Sequence, residues 1–150
     1  MSEHIVAHNR KAGFSYHLLE KCEAGIILTG SEVKSLRAGQ CNLGDAYASF
    51  KGDELFLMNA HISPYPPAAG LNHAPLRTRK LLLKKHEVVR MIGKIREKGL
   101  TLIPVSIYFK RGLAKIELAL AKGKKLYDKR ESIKKKQHER DMQRGMRRRG

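Results

Sequence analysis

The stretch VSIYFKRGLAKIELAL, residues 105–120, decides the fold. Val105, Ile107 and Phe109 alternate with Ser106, Tyr108 and Lys110. A period of two belongs to a strand, whose successive side chains point to opposite faces. After Arg111-Gly112 the alternation resumes, with Ala114, Ile116, Leu118 and Leu120 on one face and Lys115 and Glu117 on the other. Two such runs joined by a two-residue turn predict an antiparallel hairpin.

Upstream, KHEVVRMIGKIREKG (85–99) changes period. Val88, Ile92 and Ile95 recur at i, i+4 and i+7, Val89 widens the stripe, and Gly99 closes it, so the spacing predicts a helix. SPYPPAAGLNHAPL (63–76) holds four of the five prolines and reads as an exposed loop. NLGDAYASFKGDELFLMNAHI (42–62) contains two apolar runs joined at Lys51-Gly52-Asp53-Glu54, a second hairpin. TGSEVKSLRAG (29–39) predicts a short helix, with Ser31 as its cap, Val33, Leu36 and Arg37 on neighbouring turns and Gly39 as its stop. FSYHLLEKCEAGIIL (14–28) reads as strands interrupted near Glu23–Gly25, and MSEHIVAHNRKAG (1–13) as polar and mobile.

Short strands, Gly/Pro turns and two short helices predict a mainly β fold. The expected architecture over residues 1–121 is an OB-fold-like antiparallel β-barrel decorated by short α-helices. Residues 122–150 are too polar to build a core and read as a basic C-terminal tail.

Charge points to the partner. Through residue 121 there are 18 basic and 10 acidic groups, and from 122 onward 13 and 4. The tail therefore carries about half of the +17 formal charge, but the body is basic as well. An excess in both parts implies a polyanion, and nucleic acid fits better than an anionic membrane. Apolar runs such as GIIL and LLL are far too short to span a bilayer, and no export signal is legible, so a cytoplasmic protein is expected. Cys22 and Cys41 lack metal-ligand spacing and read as reduced core residues.

Enzymatic chemistry is not indicated. No GxxxxGK[ST] or GxGxxG occurs, and HEVVR and HERDM lack the second histidine of a zinc-binding HExxH. The seven histidines are scattered, and Asp53–Glu54 sits in a predicted turn. No cofactor, metal or catalytic residue is expected.

Binding chemistry is denser. In RTRKLLLKKH (77–86), Arg77, Arg79, Lys80, Lys84 and Lys85 flank three leucines. The cations can neutralise phosphates. The leucines read as core, although a solvent-facing one could pack on an unstacked base. Glu23, next to Ala24 and Gly25, is less obvious. A carboxylate opposes phosphate but can accept from a guanine or cytosine amino group or order a neighbouring arginine. A plain surface carboxylate is the default reading, and Gly25 permits a bend or a close backbone approach.

Read together, EAGIILTGSEVKSLRAGQCNLGDAYA, RTRKLLL and AKGKKLYDKRESIK resemble the three signature segments of the small protein B (SmpB) family, the tmRNA-binding proteins of bacteria. The resemblance runs in order over about residues 8–140. It implies an oligonucleotide-binding barrel that holds the tRNA-like domain of tmRNA and delivers it to stalled ribosomes in trans-translation. The protein body would replace the missing anticodon arm, and the tail would enter the empty message channel near the decoding centre. Implied partners are tmRNA, small-subunit ribosomal RNA, and alanyl-charged tmRNA with elongation factor Tu.

By position, the resemblance places Cys22, Glu23 and Gly25 against the elbow of the tRNA-like domain, and Lys80, Leu81 and Leu82 on the same surface. Arg77 and Arg79 join them through their charge. Lys124, Lys125, Tyr127, Asp128, Lys129 and Arg130 match the functional tail motif. Tyr127 stands where many members have His, which keeps a ring able to stack but not an imidazole. The tail is expected to be disordered when free and helical on the ribosome. The alternative reading is a general basic RNA-binding or ribosome-assembly protein.

Overall fold

The computed structural model describes residues 4–67, 72–123, 137 and 140. In chain order the elements are β1 (His4–His8), α1 (Ala12–Ser15), β2 (Tyr16–Ile26), α2 (Gly30–Arg37), β3 (Cys41–Asn42), β4 (Tyr47–Lys51), β5 (Glu54–Met58), β6 (His61–Ile62), β7 (Arg79–Leu82), α3 (Lys85–Lys98), β8 (Thr101–Lys110) and β9 (Leu113–Gly123). Seven strands form one antiparallel sheet in the order β1-β8-β4-β5-β7-β2-β9, and β9 pairs back onto β8. The sheet thus curls into a partly closed barrel, as expected. β3 and β6 form a separate two-stranded pair.

The hairpin of β8 and β9 turns at Arg111 and Gly112, both at positive φ (53° and 79°). The register slips between Pro104 and Ser106. Proline cannot donate to a ladder, and a bulge accommodates it. The slip also changes which side chains face inward. Leu102 opposite Leu120 and Ile107 opposite Ile116 all reach the barrel core, although Leu102 and Ile107 are an odd number of residues apart. Ile103 and Ala121 point outward, where Ala12 of α1 covers them.

Several local expectations change. The N-terminal stretch supplies a strand: His4–His8 pairs with β8, His4 opposite Phe109. β2 is not interrupted near Glu23–Gly25. It runs on to Ile26, and at Gly25 it passes from its partner β9 to β7. α2 is capped by Thr29, not Ser31. Thr29 and Glu32 form a reciprocal capping box, while Ser31 bonds the His73 ring at 2.8 Å. In α3 the fully buried residue is Met91, and Val89 is 72% exposed. Arg90 and Lys94 of α3 clasp Glu20 on β2.

The centre of the fold is a buried ion pair. Arg79 and Glu32 have no solvent-exposed side-chain surface, and the Arg79 Nε donates to the Glu32 carboxylate. Arg79 also donates to the Ala60 carbonyl at 2.7 Å and the Pro75 carbonyl at 3.1 Å. Glu32 further accepts from Arg77 Nη2 at 2.6 Å and from the Thr29 amide at 2.8 Å. Burial pushes the Glu32 carboxyl up, but the bonds from Arg77, Thr29 and Arg79 outweigh it and hold the group at about 2. This stabilisation is fully present above the ordinary carboxylate range and is lost as pH falls towards 2. Linkage makes it worth roughly 3 kcal/mol. Urea midpoints measured from pH 6 to pH 2 should therefore fall, and a Glu32→Gln variant, already destabilised, should lose this part of the acid sensitivity.

Candidate nucleic-acid interface

Strand alternation sorts RTRKLLL into two sets. Arg79 and Leu81 share the inward phase, and Leu81 is 2% exposed in the core. Lys80 and Leu82 share the outward phase, and Leu82 is 52% exposed. Arg79 was expected to meet RNA. It cannot reach a phosphate, because its guanidinium is enclosed and spent on Glu32 and two carbonyls. Leu81 likewise supports the strand from beneath. Arg77 lies at the border: it is ion-paired to Glu32 yet about a third exposed.

Beside this strand lies β2. Gly25 stands opposite Leu82 across the β2–β7 ladder and opposite Lys115 across the β2–β9 ladder. A Cβ added at Gly25 would meet Leu82 Cβ at 3.5 Å and Lys115 Nζ at 3.9 Å, which is ordinary contact. The fold itself therefore leaves room for a side chain there. The glycine makes the outer sheet face low between Leu82 and Lys115, open to a close-lying partner. Ile27, exposed at the end of β2, donates its amide to the Lys80 carbonyl at 3.0 Å. Lys80 itself makes a loose surface pair with Glu54 at 3.4 Å, and such a pair costs little to exchange for a phosphate.

Glu23 is on the same outward face. The Tyr108 hydroxyl donates to its Oε2, and Lys110 Nζ lies 3.6 Å away. The tyrosine bond, with help from Lys110 and Lys115, holds the carboxyl below its usual range against the opposing effect of burial. Glu23 is thus an ionised acceptor, part exposed, in a ring of cations. Its cross-strand neighbour is Glu117, which Lys21 approaches at 3.6 Å. Tyr108, Lys110 and Lys115 were not read as site residues. Their signal was present: all three lie on the polar phase of the hairpin alternation.

Cys22 faces the other way. It is half-buried, opposite Leu118, and packs on the core. Burial raises its thiol to about 11, so it stays protonated at neutral pH and serves as a packing residue beneath Glu23. The structure thus brings Glu23, Gly25, Lys80 and Leu82 to one surface and turns Cys22, Arg79 and Leu81 inward. Lys124, Lys125, Tyr127, Asp128, Lys129 and Arg130 lie outside the described residues. β9 itself extends to Lys122 and Gly123, paired with His17 and Tyr16, two residues past the boundary drawn from charge.

The model of the SmpB protein family matches residues 6–148. The chain belongs to the SmpB family. Curated relatives agree along nearly the whole length. The SsrA-binding protein of Sulfurihydrogenibium sp. is 54% identical over 143 residues, 95% of this chain and 94% of that protein. That of Carboxydothermus hydrogenoformans is 55% identical over 145 residues, 97% of each. A solved structure described as "tmRNA-SmpB: a journey to the center of the bacterial ribosome" is 49% identical, superposes with a TM-score of 0.69, and covers 85% of this chain and 93% of its own. The SmpB fold thus carries the outward set on the sheet face formed by β7, β2, β9 and β8.

On β7, charge and burial separate two kinds of cation. Arg79→Ala should destabilise the protein by about 3–5 kcal/mol, because Glu32 would be left buried and unpaired. Lys80→Ala should stay within about 0.5 kcal/mol of the parent. Thermal or urea unfolding of the two variants checks both values.

Proposed function

We propose that this chain binds the tRNA-like domain of tmRNA, delivers it to stalled ribosomes and supports trans-translation. Nearly full-length likeness to SsrA-binding proteins carries this reading. The basic body and the outward face of Glu23, Gly25, Lys80 and Leu82 supply a surface with the right chemistry. Lys80 meets phosphate, Leu82 packs on an unstacked base, low Gly25 lets the backbone approach, and Glu23 accepts hydrogen bonds from base or ribose. The protein acts by binding and positioning. The reaction belongs to the ribosome, and alanyl-charged tmRNA arrives with elongation factor Tu.

In this reading the body takes the place of an anticodon arm. The tail, with Lys124, Lys125, Tyr127, Asp128, Lys129 and Arg130, enters the empty message channel and becomes helical there. Its charge of +9 from residue 122 onward suits an RNA-walled channel.

Glu23→Ala should weaken binding of the tRNA-like domain by about tenfold, ~1.4 kcal/mol, although it raises net positive charge. Filter binding at physiological salt checks this. A gain in affinity would favour a general basic RNA binder held by counterion release. Such a binder would also take an unrelated stem-loop equally well. With about five or six phosphates neutralised, log K should fall against log salt with a slope of roughly −4 to −5 as an upper guide. A chain ending at Gly123 keeps β9 whole. It should retain most of the tmRNA affinity and lose tagging on stalled ribosomes.

A further inference from the structure

We propose that Tyr108 is a positioning residue for RNA recognition: its hydroxyl fixes the Glu23 carboxylate as an acceptor for N–H or O–H donors of the bound RNA. This rests on the reading of Glu23 as an RNA contact.

The geometry is specific. Tyr108 is 6% exposed and lies on β8 between Ile5 of β1 and Lys115 of β9. Its ring is therefore held on both sides by paired strands, and its hydroxyl donates to Glu23 Oε2 across the β9 strand that separates them. A buried phenol on a central strand is a rigid support, with few rotamers to lose. Glu23 itself is 39% exposed at its side chain, so it keeps a face towards solvent. Lys110 Nζ already lies 3.6 Å from the same Oε2, so the tyrosine bond sets where the carboxylate sits among the lysines around it. Those groups are Lys110 on β8, Lys115 on β9 and, beyond Glu117, Lys21 on β2 itself. β7 contributes Leu82 beside Gly25, while its Lys80 turns to Glu54.

The consequence is chemical as well as spatial. A carboxylate that collapses onto lysine is lost as a reader of RNA donors, and the lysine is lost to phosphate. Tyr108 opposes a closer approach by satisfying Oε2 with a neutral donor, while Lys110 stays paired to that oxygen at 3.6 Å. In a body whose charge favours any polyanion, this contact maintains one group that discriminates. β1 takes part indirectly, since pairing of Ile5 with Tyr108 closes the edge beside the ring.

The test uses the full chain and a transcript of the tRNA-like domain, with Tyr108→Phe, Glu23→Gln and the double variant. Phenylalanine keeps the ring and removes only the donor. Tyr108→Phe should weaken the transcript about tenfold, as Glu23→Gln does, and the double variant should be no weaker than Glu23→Gln alone. In the free protein, carboxyl NMR should show the Glu23 titration midpoint moving upward in Tyr108→Phe. Ordinary packing loss would not produce that shift. Affinity like that of the parent for Tyr108→Phe, or additive losses in the double variant, overturns the positioning role while Glu23→Gln still binds weakly. An unmoved Glu23 midpoint overturns it as well. Affinity like that of the parent for Glu23→Gln instead overturns the reading of Glu23 on which the inference rests.

Discussion

One buried carboxylate organises this fold. Glu32 is the third residue of α2 and completes its cap, yet its oxygens also receive Arg79 from β7 and Arg77 from the segment before it. Arg79 passes the connection on to the carbonyls of Ala60 and Pro75. Helix α2, strand β7 and the long proline-containing connection are thereby joined at one enclosed point. Burying two charges is expensive, and it is tolerated only where nearly every donor and acceptor finds a partner. That requirement fixes the phase of β7. With Arg79 inward, Leu81 must follow it inward, and Lys80 and Leu82 must face out.

The interface inherits this phase. Gly25 sits beside Leu82 because β2 passes from β9 to β7 at that residue. Glu23, two positions earlier on β2, therefore lies on the same outer face. Lys110 pairs with it at 3.6 Å, and Tyr108 holds the same oxygen with a neutral donor. The surface is thus more than a basic patch. In the proposed reading it combines a cation for phosphate, an apolar side chain for a base and an oriented acceptor. Non-specific polyanion binding needs only the first of these.

Much of the fold was legible in the sequence, because its clearest elements are local. The 105–120 alternation, the Gly52 turn and the αL glycine at 99 all depend on neighbouring residues. What was not legible depends on distant partners. Residues 4–8 carry no strong strand signal, and their order comes from β8. The slip at Pro104 is set by pairing with β9 and by the Asn9 side chain that donates to the Pro104 carbonyl at 2.9 Å. The inward turn of Arg79 ran against the habit of placing arginine outside. It was nevertheless implied by Leu81 two residues on, together with a Thr-x-x-Glu cap ready to receive a cation. Among the outward members of the candidate site, Lys80 came from charge as well as from resemblance to a family, and Glu23, Gly25 and Leu82 from the resemblance. The geometry then separated them from Cys22, Arg79 and Leu81.

The central claim is that a single sheet face meets the RNA in a defined pose. Amide and methyl NMR mapping of the full chain during titration with the tRNA-like domain tests it most directly. Shifts should concentrate on Glu23, Gly25, Lys80, Leu82 and Lys115 and leave the exposed face of α3 around Val89 unchanged. Shifts spread evenly over every basic surface, or centred on α3, would contradict it.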